Sequence, residues 1–161
     1  MIQRTLFLGY CIDTCSLVDL WRSFYPPDVF QTLWKKDLES LVYQGLLIAP
    51  QEVFNELNHQ EDVLFEWAKK HKKMFRDLDE EQVKLVREIV KNFPKLIDSG
   101  KTTADADPFI IALAKSKGWT VITSEIPDPQ RKKPKIPDVC QVYSVKCISL
   151  VEFFREQGWR Y

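Results

Sequence analysis

"YCIDTCSL" (Tyr10–Leu17) ends an apolar run, "LFLGYCI", on an acid followed by small hydroxyl and thiol residues. The run from Leu6 to Ile12 has no polar alternation, which is how a strand covered on both faces reads. Gly9 within it predicts the close approach of another backbone. Thr14 to Arg22 then places Leu17, Val18 and Trp21 at helical spacing. Asp13 at the junction has two readings. It caps that helix, or it is a ligand at the carboxyl end of a buried strand.

The remaining elements follow from punctuation and period. "YPP" at 25–27 breaks the first helix. A second is predicted from Pro27 to Gln44, with Phe30, Leu33, Trp34, Leu38, Leu41 and Val42 on one face and Gly45 as its stop. Leu46 to Ala49 is a second strand, and Pro50 opens the helix "PQEVFNELN". "EDVLFEWAKKH" and "DEEQVKLVREIVKNF" are amphipathic helices, so residues 60–100 read as an insertion-like cap. Pro94 to Thr103 is a loop. Asp107, as cap, and Pro108 open "FIIALAKSK", a helix apolar nearly all round and therefore buried. Gly118 closes it, and "WTVIT" is a third strand. The proline- and lysine-rich stretch from Glu125 to Asp138 is predicted to be neither helix nor central strand. "SVKCIS" gives a last strand, and Ser149 caps "LVEFFREQ", which Gly158 ends.

Strands separated by helices imply parallel crossovers. The expected fold is α/β, a three-layer α/β/α arrangement with a short, mostly parallel central sheet and extra helices in the middle of the chain. Residues 1–161 fit a single domain with a real core. Lys+Arg and Asp+Glu both number 23. No bulk basic charge advertises nucleic acid, so any such site must be a local patch. No apolar run approaches the roughly 18 residues of a membrane span, and the N-terminus lacks a secretory pattern. The expected location is the cytoplasm. Cys11, Cys15, Cys140 and Cys147 fall at C-x3-C and C-x6-C, poor matches to zinc knuckles, and read as reduced structural thiols.

In open α/β sheets, ligands collect outside the carboxyl ends of the strands. Strand one delivers Asp13 there, with Thr14 and Ser16. The helix after strand two carries Glu52 and Glu56. Asp105 and Asp107 begin the buried helix, and strand three delivers Thr123, Ser124 and Glu125. Each acid alone has a plain structural role as a cap or a solvated charge. Together they would repel unless a cation neutralised them. Carboxylate oxygens suit Mg²⁺ or Mn²⁺. Other schemes lack their residues: there is no G-x-S-x-G elbow, P-loop or G-x-G-x-x-G, and His59 and His71 sit in helical, charged surroundings. A D-x-D phosphatase nucleophile at Asp13 is weakened by Cys15 in the second acid's place.

"CIDTCSLVDLW", "PQEVFNEL" and "ADPFIIALAKSKGWTVITSE" together resemble, in order and spacing, the motifs of the PIN-domain family of metal-dependent nucleases. The tail "KIPDVCQVYSVKCISLVEFFREQGW" is similar to that of a poorly characterised PIN-like branch. The resemblance implies that Asp13, Glu56, Asp107 and Glu125 are the metal-binding, catalytic carboxylates, with Thr14, Ser16 and Thr123 in support. Asp105 and Glu52 are the near alternatives. Cys15 stands where the family often has Asn or Ser, and Glu125 where it often has Asp. The resemblance further implies an RNA substrate, Mg²⁺ or Mn²⁺ as cofactor, and the role of toxin with an antitoxin protein as partner. Basic residues Arg131, Lys132, Lys133 and Lys135, after Glu125, are candidate RNA contacts, and "KKHKKMFR" at 69–76 is a second basic stretch. A homodimer through Phe30 and Trp34 is a further expectation, although core packing explains those side chains equally well. The competing expectation is a catalytically inactive PIN-like module that binds RNA or protein.

Overall fold

The structure, a computed structural model, describes residues 8–59, 62–97, 105–128, 130 and 132–161. Leu6 and Phe7 of the expected first strand, Arg131 and most of the expected loop at 94–103 lie outside the described residues. Five short strands form one sheet: β1 (Tyr10–Ile12), β2 (Leu47–Pro50), β3 (Phe75–Arg76), β4 (Thr120–Ile122) and β5 (Cys147–Ile148), in the order β3-β2-β1-β4-β5. All four pairings are parallel. The chain therefore runs outward from β1 in one direction through β2 and β3. It then returns to β4 on the other side of β1 and continues to β5.

Alternation along the strands divides the interior into two cores. Tyr10, Ile12, Leu47, Ala49 and Ile122 face one side, while Cys11, Ile48 and Val121 face the other. This follows from the two-residue period of a strand. The first core is closed by five helices. α1 begins at Thr14–Val18 and widens into a π-helical turn, Asp19–Phe24. α2 is π-helical over Leu33–Leu38 and runs on into Glu39–Tyr43. α3 (Gln51–Asn58), α4 (Val63–Lys70) and α8 (Leu150–Gln157) complete the layer. The second core is closed by α5 (Glu80–Asn92), α6 (Asp107–Lys117) and α7 (Ile136–Val142). The result is the three-layer α/β/α fold. Helices change face where the crossovers change direction, as right-handed connections require.

α6 lies between α5 and strands β1, β2 and β4. Ile110, Ile111, Ala112, Leu113 and Ala114 are buried in succession, so the helix is covered on nearly every side. Each of its larger side chains contributes about 1.5–3 kcal/mol by burial. In the other core, Trp34 packs edge-on against Trp21 and Trp67 at 4.7 and 5.2 Å. Its indole N–H donates to the Tyr25 carbonyl at 2.7 Å. Leu33, Trp34, Leu38 and Leu41 are all buried within the chain, so this face of α2 belongs to the core.

Three expectations are corrected and a fourth is extended. The middle of the chain is no insertion-like cap: β3 extends the central sheet, and α5 packs on α6. β3 has only two residues, between Lys72-Lys73-Met74 and Asp77, and so carries no period to read. The second helix starts later than Pro27, because Pro26 to Val29 form a turn, with Val29 N–H donating to the Pro26 carbonyl at 3.1 Å. Part of the Glu125–Asp138 stretch is helical, since α7 begins at Ile136 and holds Pro137 in its first turn. No i−4 partner exists there, so proline costs no hydrogen bond. Finally, Gly9 meets a side chain as well as a backbone: its carbonyl accepts from the Thr120 N–H at 3.2 Å, and the Trp119 ring fills the space beside its Cα. A Cβ on Gly9 would stand 2.5 Å from the Trp119 ring. Gly9→Ala is therefore expected to destabilise the chain by about 1–3 kcal/mol in urea melts, and Trp119→Leu in the same background should recover part of the loss. An unchanged midpoint would contradict this packing.

Candidate active site

The site forms where the crossovers change direction, outside the carboxyl ends of the adjacent strands β1 and β4. Asp13 follows β1 and caps α1: its Oδ1 accepts from the Ser16 N–H at 2.8 Å. Its Oδ2 accepts from the Thr123 hydroxyl, beyond β4, at 2.5 Å. Asp13 is 3 % exposed. The capping reading holds, and the second oxygen is turned to the β4 side. Each of its two oxygens thus accepts one hydrogen bond from the protein. Ser16 is also buried, its hydroxyl 3.5 Å from the Ile122 carbonyl and 3.4 Å from the Ser124 hydroxyl.

Glu56 projects from α3 between two elements. Its Oε2 accepts from the Thr14 hydroxyl at 2.6 Å, and its Oε1 from the Ala106 N–H at 2.9 Å. It therefore joins the start of α1 to the start of α6. Glu52, one turn earlier, belongs elsewhere. Burial and the neighbouring charge of Asp77 raise its carboxyl above the usual range, and one of its oxygens is buried without a hydrogen-bond partner among the described residues. Asp107 is the first residue of α6; Ala106, not Asp107, is the cap. Asp105 is buried beside it, its Oδ1 3.5 Å from the Asp107 N–H.

Glu125 faces both ways. Its N–H donates to the Thr123 hydroxyl at 3.1 Å, and its Oε2 accepts from the Ile136 N–H at 2.8 Å. The longer side chain thus reaches the start of α7, a role an Asp at this position would be less able to fill. Asp138 and Asp128, which the sequence reading passed over, shape the intervening loop. Asp138 accepts from the Asp128 and Lys135 N–H groups at 3.2 and 2.8 Å, and Asp128 from Gln130 at 2.9 Å. Asp-Pro at 128–129 was the available signal, since Asp before a turn accepts from nearby backbone. Lys132 and Lys133 are exposed on this loop, and Lys135 is half-buried.

Electrostatics show that the acids share one region. Burial, then the charges of Glu125, Asp105, Asp13 and Glu56, push the Asp107 carboxyl up to about 8. Burial raises Asp13 to about 6 against the hydrogen bonds from Ser16 and Thr123, with Glu125 adding to the rise. Cys15 lies beside them. Loss of solvent around its sulfur and the charges of Asp13, Glu125 and Asp107 push that thiol up to about 12, although the residue as a whole is exposed at the site's edge. Cys11 and Cys140 are buried in the second core, and all four thiols are free. Among the described residues, no three His, Cys, Asp or Glu side chains are already drawn together at metal-ligand spacing. The donor chemistry nonetheless suits a hard divalent cation: the acids are oxygen donors of one sign.

A family model described as "Domain of unknown function (DUF4411)" matches residues 10–161. The chain belongs to the DUF4411 family. No curated protein matches it. In this DUF4411 chain the match starts on the first residue of β1 and takes in every acid of the site. No helix among the described residues is long and apolar enough to cross a membrane.

Asp13 and Asp107 have carboxyls raised in the folded state, so the folded chain binds more protons than the unfolded one between pH of about 4 and about 8. Their contribution to stability is present below that window and lost as pH rises through it. In chelator, the melting temperature of the DUF4411 chain is expected to fall by several degrees between the acidic and alkaline ends. Mn²⁺ should restore it at the alkaline end and have little effect at the acidic end. A melting temperature that rises with pH in chelator would refute this account.

Proposed function

We propose that the chain is a metal-dependent endoribonuclease of PIN type, acting as the toxin of a toxin–antitoxin pair. The observation that carries this reading is the meeting of Asp13, Glu56, Asp107 and Glu125 around the carboxyl ends of β1 and β4. Thr123 and Thr14 hold Asp13 and Glu56 by short hydrogen bonds. In this reading Asp13 and Asp107 would hold Mg²⁺ or Mn²⁺, with Glu56 and Glu125 as further carboxylate donors. When bound, the ion supplies an activated water near neutral pH and counter-charge for the phosphoryl oxygens. Thr123 fixes the rotamer of Asp13, and Thr14 that of Glu56. The surrounding carboxylates accept the proton that water releases as it attacks the phosphodiester. The RNA substrate and the antitoxin partner come from the PIN resemblance.

Cleavage of a labelled RNA in Mn²⁺ tests the assignment. Asp13→Asn and Asp107→Asn are each expected to lower the rate at least about 100-fold with a cooperative melt retained. Glu56→Gln should also lose activity, while Glu52→Gln should keep it. Full activity in a folded Asp107→Asn protein would overturn the proposal.

A second reading is a non-catalytic module that binds RNA or protein. It is favoured by the engagement of Glu125 with the Ile136 N–H and by the open spacing of the acids. Calorimetry discriminates: no heat on Mn²⁺ titration, with RNA or protein binding retained, selects the module.

A further inference from the structure

A cleft of about 540 Å³ opens beside the amino ends of β2 and β3, lined by Tyr43, Lys70, His71, Lys72, Lys73 and Arg76. It is a different place from the acidic site. Gly45 on its wall precedes β2, and Lys72 and Lys73 precede β3, whereas Asp13 and Thr123 follow their strands. We propose that this cleft is a second binding site for the phosphate backbone of single-stranded RNA, a reading that rests on the ribonuclease assignment and extends it.

Three observations carry it. First, the four cations are exposed, and none is paired with a carboxylate among the described residues. The cleft's own acid, Glu39, is turned to the His71 ring at 3.2 Å. In a chain with equal numbers of acids and bases, four unneutralised cations around one concavity are a concentrated positive field. Second, the positions of these groups are built. His71 stacks on Trp67 at 4.4 Å and contacts the Trp67 carbonyl at 2.8 Å, while Arg76 Nε donates to the Lys73 carbonyl at 2.8 Å. Gly45, in the left-handed region at φ +72°, lies beside the Arg76 guanidinium. Third, Tyr43 on the same wall is 94 % exposed, an aromatic face held out in solvent. Cations that track a backbone beside an exposed ring for stacking are the two elements of single-strand binding. An acidic protein segment would use the cations and leave Tyr43 without a role.

The cleft and the acids lie at opposite ends of β2. Its four residues span about 13 Å, so an RNA of a few nucleotides can reach one site but not both. The cleft therefore selects for longer substrates and leaves the chemical step unaltered.

The test measures binding apart from cleavage, by fluorescence anisotropy of a labelled oligouridylate about twenty nucleotides long, in chelator. Lys70→Glu/Lys73→Glu is expected to weaken binding at least about tenfold and to flatten the salt dependence by roughly one to two ion equivalents. Tyr43→Ala, at a position too exposed to affect folding, should weaken it several-fold. Lys91→Glu, on the outer face of α5, should leave it unchanged. In Mn²⁺, the Lys70→Glu/Lys73→Glu protein should show a raised KM for the long RNA, the same kcat, and unaltered cleavage of a trinucleotide. Equal losses for the Lys91 and the cleft variants would overturn the site, as would poly-glutamate binding as tightly as RNA, which would point to an acidic protein. Wild-type binding without cleavage would sink the ribonuclease reading while leaving the cleft as an RNA site. Cleavage with no effect of the cleft variants would do the reverse.

Discussion

The hydrogen bond from Thr123 to Asp13 joins the ends of β1 and β4, the two strands between which the chain reverses its direction of travel across the sheet. No loop connects those ends. In sequence they are 110 residues apart, and only the completed sheet brings them together. Everything else at the site is arranged around this pair. Ser16 secures the other oxygen of Asp13, Thr123 also receives the Glu125 N–H, and Glu56 joins the starts of α1 and α6. An open parallel sheet leaves a crevice where its crossovers diverge, and here that crevice is filled with carboxylates.

Such a filling is unfavourable by itself. Burial and like charge both oppose ionisation, and a fold that needed only stability would not collect five acids there. The hydrogen bonds offset part of the cost for Asp13 and Glu56. Asp107 receives the least help and is shifted furthest.

The fold was legible because its signals are local. The apolar run at β1, the all-round apolar α6, the Ser149 cap and the Gly118 and Gly158 stops each state their element in a few residues, and the elements alternate in the manner of parallel sheets. β3 was illegible: two residues between a lysine pair and Asp77 carry no period. Asp13, Glu56, Asp107 and Glu125 were legible as acids near strand ends. Their choice over Glu52 was not, because one helical turn separates Glu52 from Glu56 and only tertiary packing shows that Asp77, not Asp13, is the neighbour of Glu52. Nor could the sequence show Glu125 reaching the start of α7, since that contact spans a proline-rich loop with no period of its own. The cleft at Lys70–Arg76 was visible as a basic stretch, but its concavity depends on α2 and Gly45, which lie some thirty residues earlier.

β1 is three residues long, and its side chains enter the two cores in turn: Tyr10 and Ile12 on one side, Cys11 on the other. The phase of this strand is therefore locked. A slip or insertion of one residue would exchange the occupants of the cores and at the same time carry Asp13 to the wrong face of the sheet. Interior packing and the placement of the first acid share a single degree of freedom. Mutational drift in either is checked by the other, so the segment around Cys11 and Ile12 has less latitude than burial alone would impose.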